Sequence, residues 1–261
     1  MRSAARPEPS GTFLSQAMII DCHCHTGRAD LIDQSWTNGA PLLAYLRRAR
    51  AAGISKTVVF SQLRGDYNAG NEEVARIVAR FPERLIGFVF VDARRDAGHI
   101  FGMVDRAVTK HAFRGIKVHG IDAMPTREVC ETARAFRLPV VMDIIGRAVV
   151  VEKLAPLYPD VNFIIPHLGS FNDDLGVQQR VVDQLARYEN VYADTSGVRR
   201  FDSIVQAVKR SSARKLLFGS DGPWLHPGVE LHKIRALGLP KEKENLILGG
   251  NAARMILRAA R

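Results

Sequence analysis

A (β/α)8 TIM barrel in a single domain is the fold class this sequence predicts, on three observations. Short apolar runs alternate with helical patterns along the chain. Several runs are continuously hydrophobic, as in Thr57-Val58-Val59-Phe60 and Asn162-Phe163-Ile164-Ile165, which suits parallel strands buried on both faces. The chain has 261 residues, close to the ~250 of one such barrel. A doubly wound open sheet is the alternative, but no Gly-rich nucleotide fingerprint follows the first run.

The first strand is expected at 18–22, ahead of a helix over 41–52 that places Leu42, Leu43, Leu46 and Ala49 on one stripe and stops at Gly53. The second strand, 56–61, leads to a helix over 71–81 carrying Val74, Ile77 and Val78 and ending at Pro82. The remaining strands are expected at 85–91, 115–118, 139–144, 161–166, 191–194 and 215–220. Helices at 98–110, 126–136, 150–157, 174–188, 202–209 and 227–237 follow them in turn. Acidic or hydroxyl residues near several starts, and Gly or Pro beyond several ends, punctuate these helices. Two short terminal helices, 242–248 and 251–257, are expected to cover the barrel. Residues 1–17 mix Arg, Pro, Ser and Glu without an apolar core, so they read as a flexible extension and not a secretory signal. That leaves 18–261 as the barrel domain, with Met18 as a candidate start.

Composition excludes some classes. Hydrophobic residues make up 46% and charged residues 25% of the chain, ordinary values for a soluble globular protein. No stretch approaches the ~20 apolar residues of a membrane span. The formal net charge is +10, but the basic residues are scattered and interspersed with acidic ones. No aromatic-basic strip of the kind that stacks on bases is evident, so a small-molecule substrate is expected rather than nucleic acid or membrane. A homo-oligomer is left open. Three cysteines without a signal sequence argue for a reducing, cytoplasmic compartment.

The chemistry begins at the first strand, which ends in His23-x-His25. Side chains alternate along a strand, so both imidazoles point one way, with Asp21 beside them, and two imidazoles on one face can chelate an ion. Cys22 and Cys24 are then expected on the opposite face, packed against helices rather than ligating metal. Functional residues of this fold sit where strands end. The other strand ends supply Lys117 and His119, Asp143, His167 and Asp221.

With those residues in view, the chain resembles the amidohydrolase superfamily, in the amidohydrolase-2 branch related to aminocarboxymuconate-semialdehyde decarboxylase. The matching segments are Ile19 to His25, Phe113 to His119, Pro166-His167-Leu168-Gly169, Leu217 to Asp221 and Ile247 to Arg254. The resemblance implies a divalent metal held by His23, His25 and Asp221, zinc before manganese or iron. A histidine usually ends strand five as a further ligand; Asp143 stands there instead, either as a carboxylate ligand or in a salt bridge to Lys117 or Arg147. The resemblance makes His167 a ligand or a group that polarises water or substrate. In some relatives a strand-four lysine is carboxylated and bridges two metals, but that site needs imidazoles on strands five and six. Lys117 is therefore read as a cationic contact for substrate or for Asp143. His119 reads as a substrate contact or as a structural hydrogen bond.

The implied reaction is hydrolysis of an amide, lactone or related ester. Asp221 would pass the water's proton to the leaving group and His167 would stabilise developing charge. Arg64, Arg147 and Arg199 lie on loops expected to rim the mouth, where they either hold an acidic substrate bidentately or are surface charges. Phe171 and Trp224 either wall the pocket or pack. A metal-assisted decarboxylase is the first rival, and a metal-free, non-catalytic ligand-binding barrel, kept open by Asp143, is the second.

Overall fold

The computed structural model describes residues 18–28 and 42–257, so the expected 1–17 extension lies outside the described residues. The protein is a (β/α)8 barrel. Its elements run β1 (Ile20–Thr26), α1 (Leu42–Ala51), β2 (Lys56–Ser61), α2 (Tyr67–Arg80), β3 (Leu85–Gly87), β4 (Val89–Phe90) and α3 (Ile100–His111). Then come β5 (Ile116–His119), α4 (Arg127–Phe136), β6 (Val140–Asp143), α5 (Val149–Leu157), β7 (Phe163–Ile165) and α6 (Leu175–Arg187). The chain closes with β8 (Val191–Asp194), α7 (Phe201–Arg210), β9 (Leu216–Leu217), α8 (Pro227–Arg235) and α9 (Lys241–Asn245).

All neighbouring strands pair in parallel, in the order β1-β2-β3 and β4-β5-β6-β7-β8-β9. The single strand expected at 85–91 is thus two pieces joined at Phe88, whose N–H still donates to the Val59 carbonyl at 2.9 Å. Phe88 is fully buried against Gly115, where a Cβ would lie 2.2 Å from its ring. Only a residue without a side chain admits the ring at that point. The cylinder closes where Cys22 N–H donates to the Phe218 carbonyl at 2.9 Å and His25 N–H to Gly222 at 2.6 Å.

β1 departs from the expected alternation. Its register to β2 shifts between Asp21 and Cys24, as a bulge does. Cys24 packs in the outer core between strands and helices, opposite the histidines, as expected. Cys22 does not: it joins the barrel's inner core with Ile20, Val58 and Phe60. Asp21 turns outward instead of joining the imidazoles, and accepts a 2.5 Å hydrogen bond from Tyr45 of α1. The buried face of α1 is Leu42, Tyr45 and Ala49, while Leu43, expected on that stripe, is 58% exposed. α2 starts four residues before the expected 71, because Asp66 accepts from the Ala69 N–H and caps it.

The inner core is a plug of apolar side chains at one end of the barrel. Ala252, Met255 and Ile256 of the C-terminal segment fill it from below, so the tail does cover the barrel as expected. Among the described residues, no helix is long and apolar enough to cross a membrane.

Candidate metal centre and its cavity

Above the plug, the strand ends carry polar groups. His23 Nε2 lies 3.5 Å and His25 Nε2 3.8 Å from Asp221 Oδ1, and the three donor atoms fall within 4.8 Å of one another. Each imidazole is oriented through its other nitrogen. His23 Nδ1 lies 2.8 Å from Asp194 Oδ2, and His25 Nδ1 lies 3.0 Å from the Ser61 carbonyl. Both Nδ1 atoms therefore carry the proton, and both Nε2 lone pairs face the Asp221 carboxylate. Burial, then Lys117, lower the His23 pKa against the pull of Asp194, and burial, then His23, hold His25 well below the usual histidine value. Neutral imidazoles are the form that binds a metal, so the donor set fits a divalent cation.

Backbone shape serves this arrangement. Asp221 sits at φ 54° and His167 at φ 58°. That left-handed conformation costs a non-glycine residue on the order of 1–3 kcal/mol and collects at functional sites. A Cβ at Gly219 would lie 3.1 Å from His23 Cβ and 3.2 Å from Asp194 Cγ. Glycine lets β9 approach β1 closely enough for Asp221 to meet the histidines.

Asp143 faces the same cavity but pairs with His119 rather than with the trio, and His167 lies between the two groups, its ring centroid 5.0 Å from that of His23. Asp143 Oδ2 is 3.2 Å from His119 Nε2 and 3.7 Å from His167 Nε2, while Oδ1 accepts from the Ile145 N–H at 3.0 Å. His119 Nδ1 accepts from the Ile121 N–H at 3.1 Å, so Nε2 carries the proton toward Asp143. Burial alone would raise the Asp143 pKa; the hydrogen bond and charge of His119, then His167 and Lys117, outweigh it and hold the carboxyl well below its usual range. The partner of Asp143 is His119, not Arg147. His167 is positioned by a 2.7 Å contact from Nδ1 to the Ser196 carbonyl.

Lys117 is fully buried, and its Nζ has no hydrogen-bond partner, lying 4.8 Å over the Phe60 ring. Burial lowers its pKa against the attraction of Asp143, Asp194 and Asp221. It is not among the described residues that line the cavity over the trio, although the sequence reads it as a cationic contact for substrate or for Asp143.

The cavity over the trio has a volume of about 560 Å3. His23, His25, His119, Asp143, His167 and Asp221 line it, with Phe171 and Trp224 as the expected walls. Leu63, Ile145, Gly146, Ser170, Asn172 and Asp174 complete its lining. Arg64 and Arg147 are not among the described lining residues. Arg64 lies in a separate pocket, 3.1 Å from Glu73 Oε2, and Arg147 is exposed. Arg199 pairs with Asp173 on the rim.

Sequence reasoning missed Asp194, which orients His23, accepts from the His167 N–H at 3.2 Å and from the Ser196 N–H at 3.0 Å. The available signal was an acidic residue closing an apolar run, the same signal that singled out Asp143. The cysteines are free and buried, and burial raises the Cys22 and Cys24 thiols well above their ordinary pKa, which disfavours thiolate ligation.

Solved structures share this architecture. An uncharacterised TIM-barrel protein from Bordetella bronchiseptica superposes with a TM-score of 0.75 at 17% identity, over 94% of this chain and 100% of that one. A probable 2-pyrone-4,6-dicarboxylic acid hydrolase from Acinetobacter baumannii, with citric acid bound, has a TM-score of 0.73 at 14% identity, over 91% and 98%. A dihydroxybenzoic acid decarboxylase from Polaromonas, with bound manganese and the inhibitor 2-nitroresorcinol, has 0.69 at 18% identity, over 92% and 96%. At these identities the likeness is one of fold. No curated protein matches the chain significantly. The amidohydrolase family model, amidohydrolase-2, matches residues 20–257. The chain belongs to the amidohydrolase-2 family and is an enzyme of that metal-dependent type.

Proposed function

We propose that this protein is a divalent-metal hydrolase that cleaves an amide, lactone or ester bond of a small substrate, with His23, His25 and Asp221 as the metal ligands. One observation carries the reading: two imidazoles with anchored Nδ1 atoms turn their Nε2 lone pairs on one carboxylate at the floor of a substrate-sized cavity. Two nitrogens and one oxygen suit zinc, with manganese the next choice. When bound, such an ion supplies Lewis acidity that polarises a carbonyl and eases loss of a proton from water.

The chain's own groups do the rest. Asp221, fixed by its turn, takes the proton of the attacking water on its carboxylate and returns it to the leaving atom. His167 Nε2 and the Asp143 carboxylate, 3.7 Å apart, face the developing oxyanion, where a proton held between them would stabilise its charge. His119 keeps the Asp143 carboxylate in place. The apolar walls limit water around the reacting bond. The buried free thiols support a reducing, cytoplasmic setting.

Elemental analysis of the purified protein, with turnover of a panel of esters, lactones and amides, tests the reading. The expected result is about one zinc or manganese per chain and hydrolysis that His23→Ala abolishes together with metal retention. Activity that survives His23→Ala would defeat the ligand assignment, and protein that neither retains nor responds to metal would favour the metal-free binding barrel.

Decarboxylation is the second reading, favoured by the aromatic walls Phe171 and Trp224, which suit a flat ring. Carbon dioxide release from an aromatic acid, without hydrolysis of any panel compound, would select it.

A further inference from the structure

We infer that the substrate of this site presents an uncharged, apolar and planar body to the cavity, with no carboxylate away from the group held at the metal ligands. The inference rests on the metal-site reading above and goes beyond it to the chemical class of the ligand.

Two observations carry it. The first is the pair of aromatic walls. Trp224 lies 4.7 Å from the His25 ring and Phe171 lies 5.1 Å from the His167 ring, measured between centroids. Both are partly exposed, Trp224 at 38% and Phe171 at 44%. Side chains of this size left open beside polar groups gain by covering an apolar ring. Leu63 and Ile145 continue the apolar lining.

The second is the sign of the charge around the cavity. Among the described residues, no lysine or arginine lines it, whereas Asp143 and Asp174 do, apart from the carboxylate of the metal trio. Nearby cations are committed elsewhere. Arg64 lies with Glu73 in a separate pocket, Arg199 pairs with Asp173 and lies 5.9 Å from the centre of the Phe171 ring, and Lys117 is fully buried and is not among the lining residues. A remote carboxylate on the substrate would lose its water, meet no lysine or arginine among the described lining residues and face the Asp143 and Asp174 carboxylates. This is the opposite of the acidic substrate that the rim arginines suggest from the sequence.

Calorimetric titration of the full-length, metal-loaded protein with three hydroxamates tests the inference, because all three share one metal-chelating head. Benzohydroxamate should bind about tenfold more tightly than acetohydroxamate, for the burial of its ring, and about tenfold more tightly than 4-carboxybenzohydroxamate, for the unmatched charge. Phe171→Ala should weaken benzohydroxamate severalfold and leave acetohydroxamate unchanged. Asn172→Arg should tighten 4-carboxybenzohydroxamate severalfold without tightening benzohydroxamate. Equal or tighter binding of the carboxylated probe by the unaltered protein overturns the uncharged body. Equal binding of acetohydroxamate and benzohydroxamate overturns the apolar one. Binding of none of the three by protein shown to carry its metal overturns the metal-site reading itself, and the substrate class falls with it.

Discussion

His23 Nδ1 and Asp194 Oδ2 lie 2.8 Å apart, both residues 1% exposed, one in the middle of β1 and the other at the end of β8. This contact decides which nitrogen of His23 is free. A carboxylate on Nδ1–H holds the ring in one tautomer and raises the basicity of Nε2. Burial would raise the Asp194 pKa, but the charge and hydrogen bond of His23, with His167 and Ser196, outweigh it and keep the carboxylate ionised. Asp194→Asn should therefore lower metal affinity by about 10–100-fold, read by chelator competition, with little change in the circular dichroism spectrum.

Asp143 answers to a different partner. Its carboxylate is engaged by His119 and by the Ile145 N–H rather than by the His23–His25–Asp221 group. Asp143→Ala should leave metal occupancy at the wild-type level by elemental analysis while kcat falls by about 10²-fold or more, as removal of charge stabilisation does. Loss of the metal in this variant would make Asp143 a ligand.

Asp21 gives the pH dependence of stability a definite sign. Burial is the largest influence on it and pushes its pKa from 3.8 up to about 7, against hydrogen bonds from Ser220, Tyr45 and His23. A group whose pKa is raised by folding contributes fully below its unfolded value, and the contribution fades as pH rises through the folded value. Between about pH 4 and pH 7 the wild type should lose stability relative to Asp21→Asn. Urea unfolding of metal-free protein at both ends of that window measures the change. Equal pH slopes for the two proteins would show that Asp21 is ionised in the fold throughout.

Gly219 tests the close approach of β9 to β1. An added methyl would press on His23 and Asp194 at 3.1 and 3.2 Å. Gly219→Ala should cost about 1–3 kcal/mol of stability and weaken metal binding together. Thermal unfolding with and without metal separates the two effects.

The barrel was legible because its strands are buried on both faces and so read as unbroken apolar runs. Thr57 to Phe60 is an example, with Val58 in the inner core and Val59 in the outer one. The interruption at Phe88 was not legible, since it arises from a ring wedged against Gly115, a contact between separate strands. The outward turn of Asp21 was hidden for a related reason: a bulge breaks the period-two rule without leaving a local mark in composition. At the site, His23, His25 and Asp221 stood out as strand-ending metal-capable residues. The orienting partners of the imidazoles did not, because Ser61 holds His25 and Ser196 holds His167 through main-chain carbonyls, which any residue type supplies, while Asp194 holds His23 from a strand end with no histidine beside it in sequence. The rim arginines misled because loop position alone does not say which acid will claim them, and Glu73 and Asp173 do so here.

The plug made by Ala252, Met255 and Ile256 has a consequence for how the chain comes into being. These side chains close the floor beneath the reaction chamber, yet they follow every barrel strand in the order of synthesis. A nascent chain with all eight barrel strands in place still lacks its base, with Ile20, Phe60 and Leu217 open to water from below. The floor beneath the β1 histidines is therefore laid by residues that follow every barrel strand, so a chain stopped after β9 would carry the metal ligands over a chamber without a base.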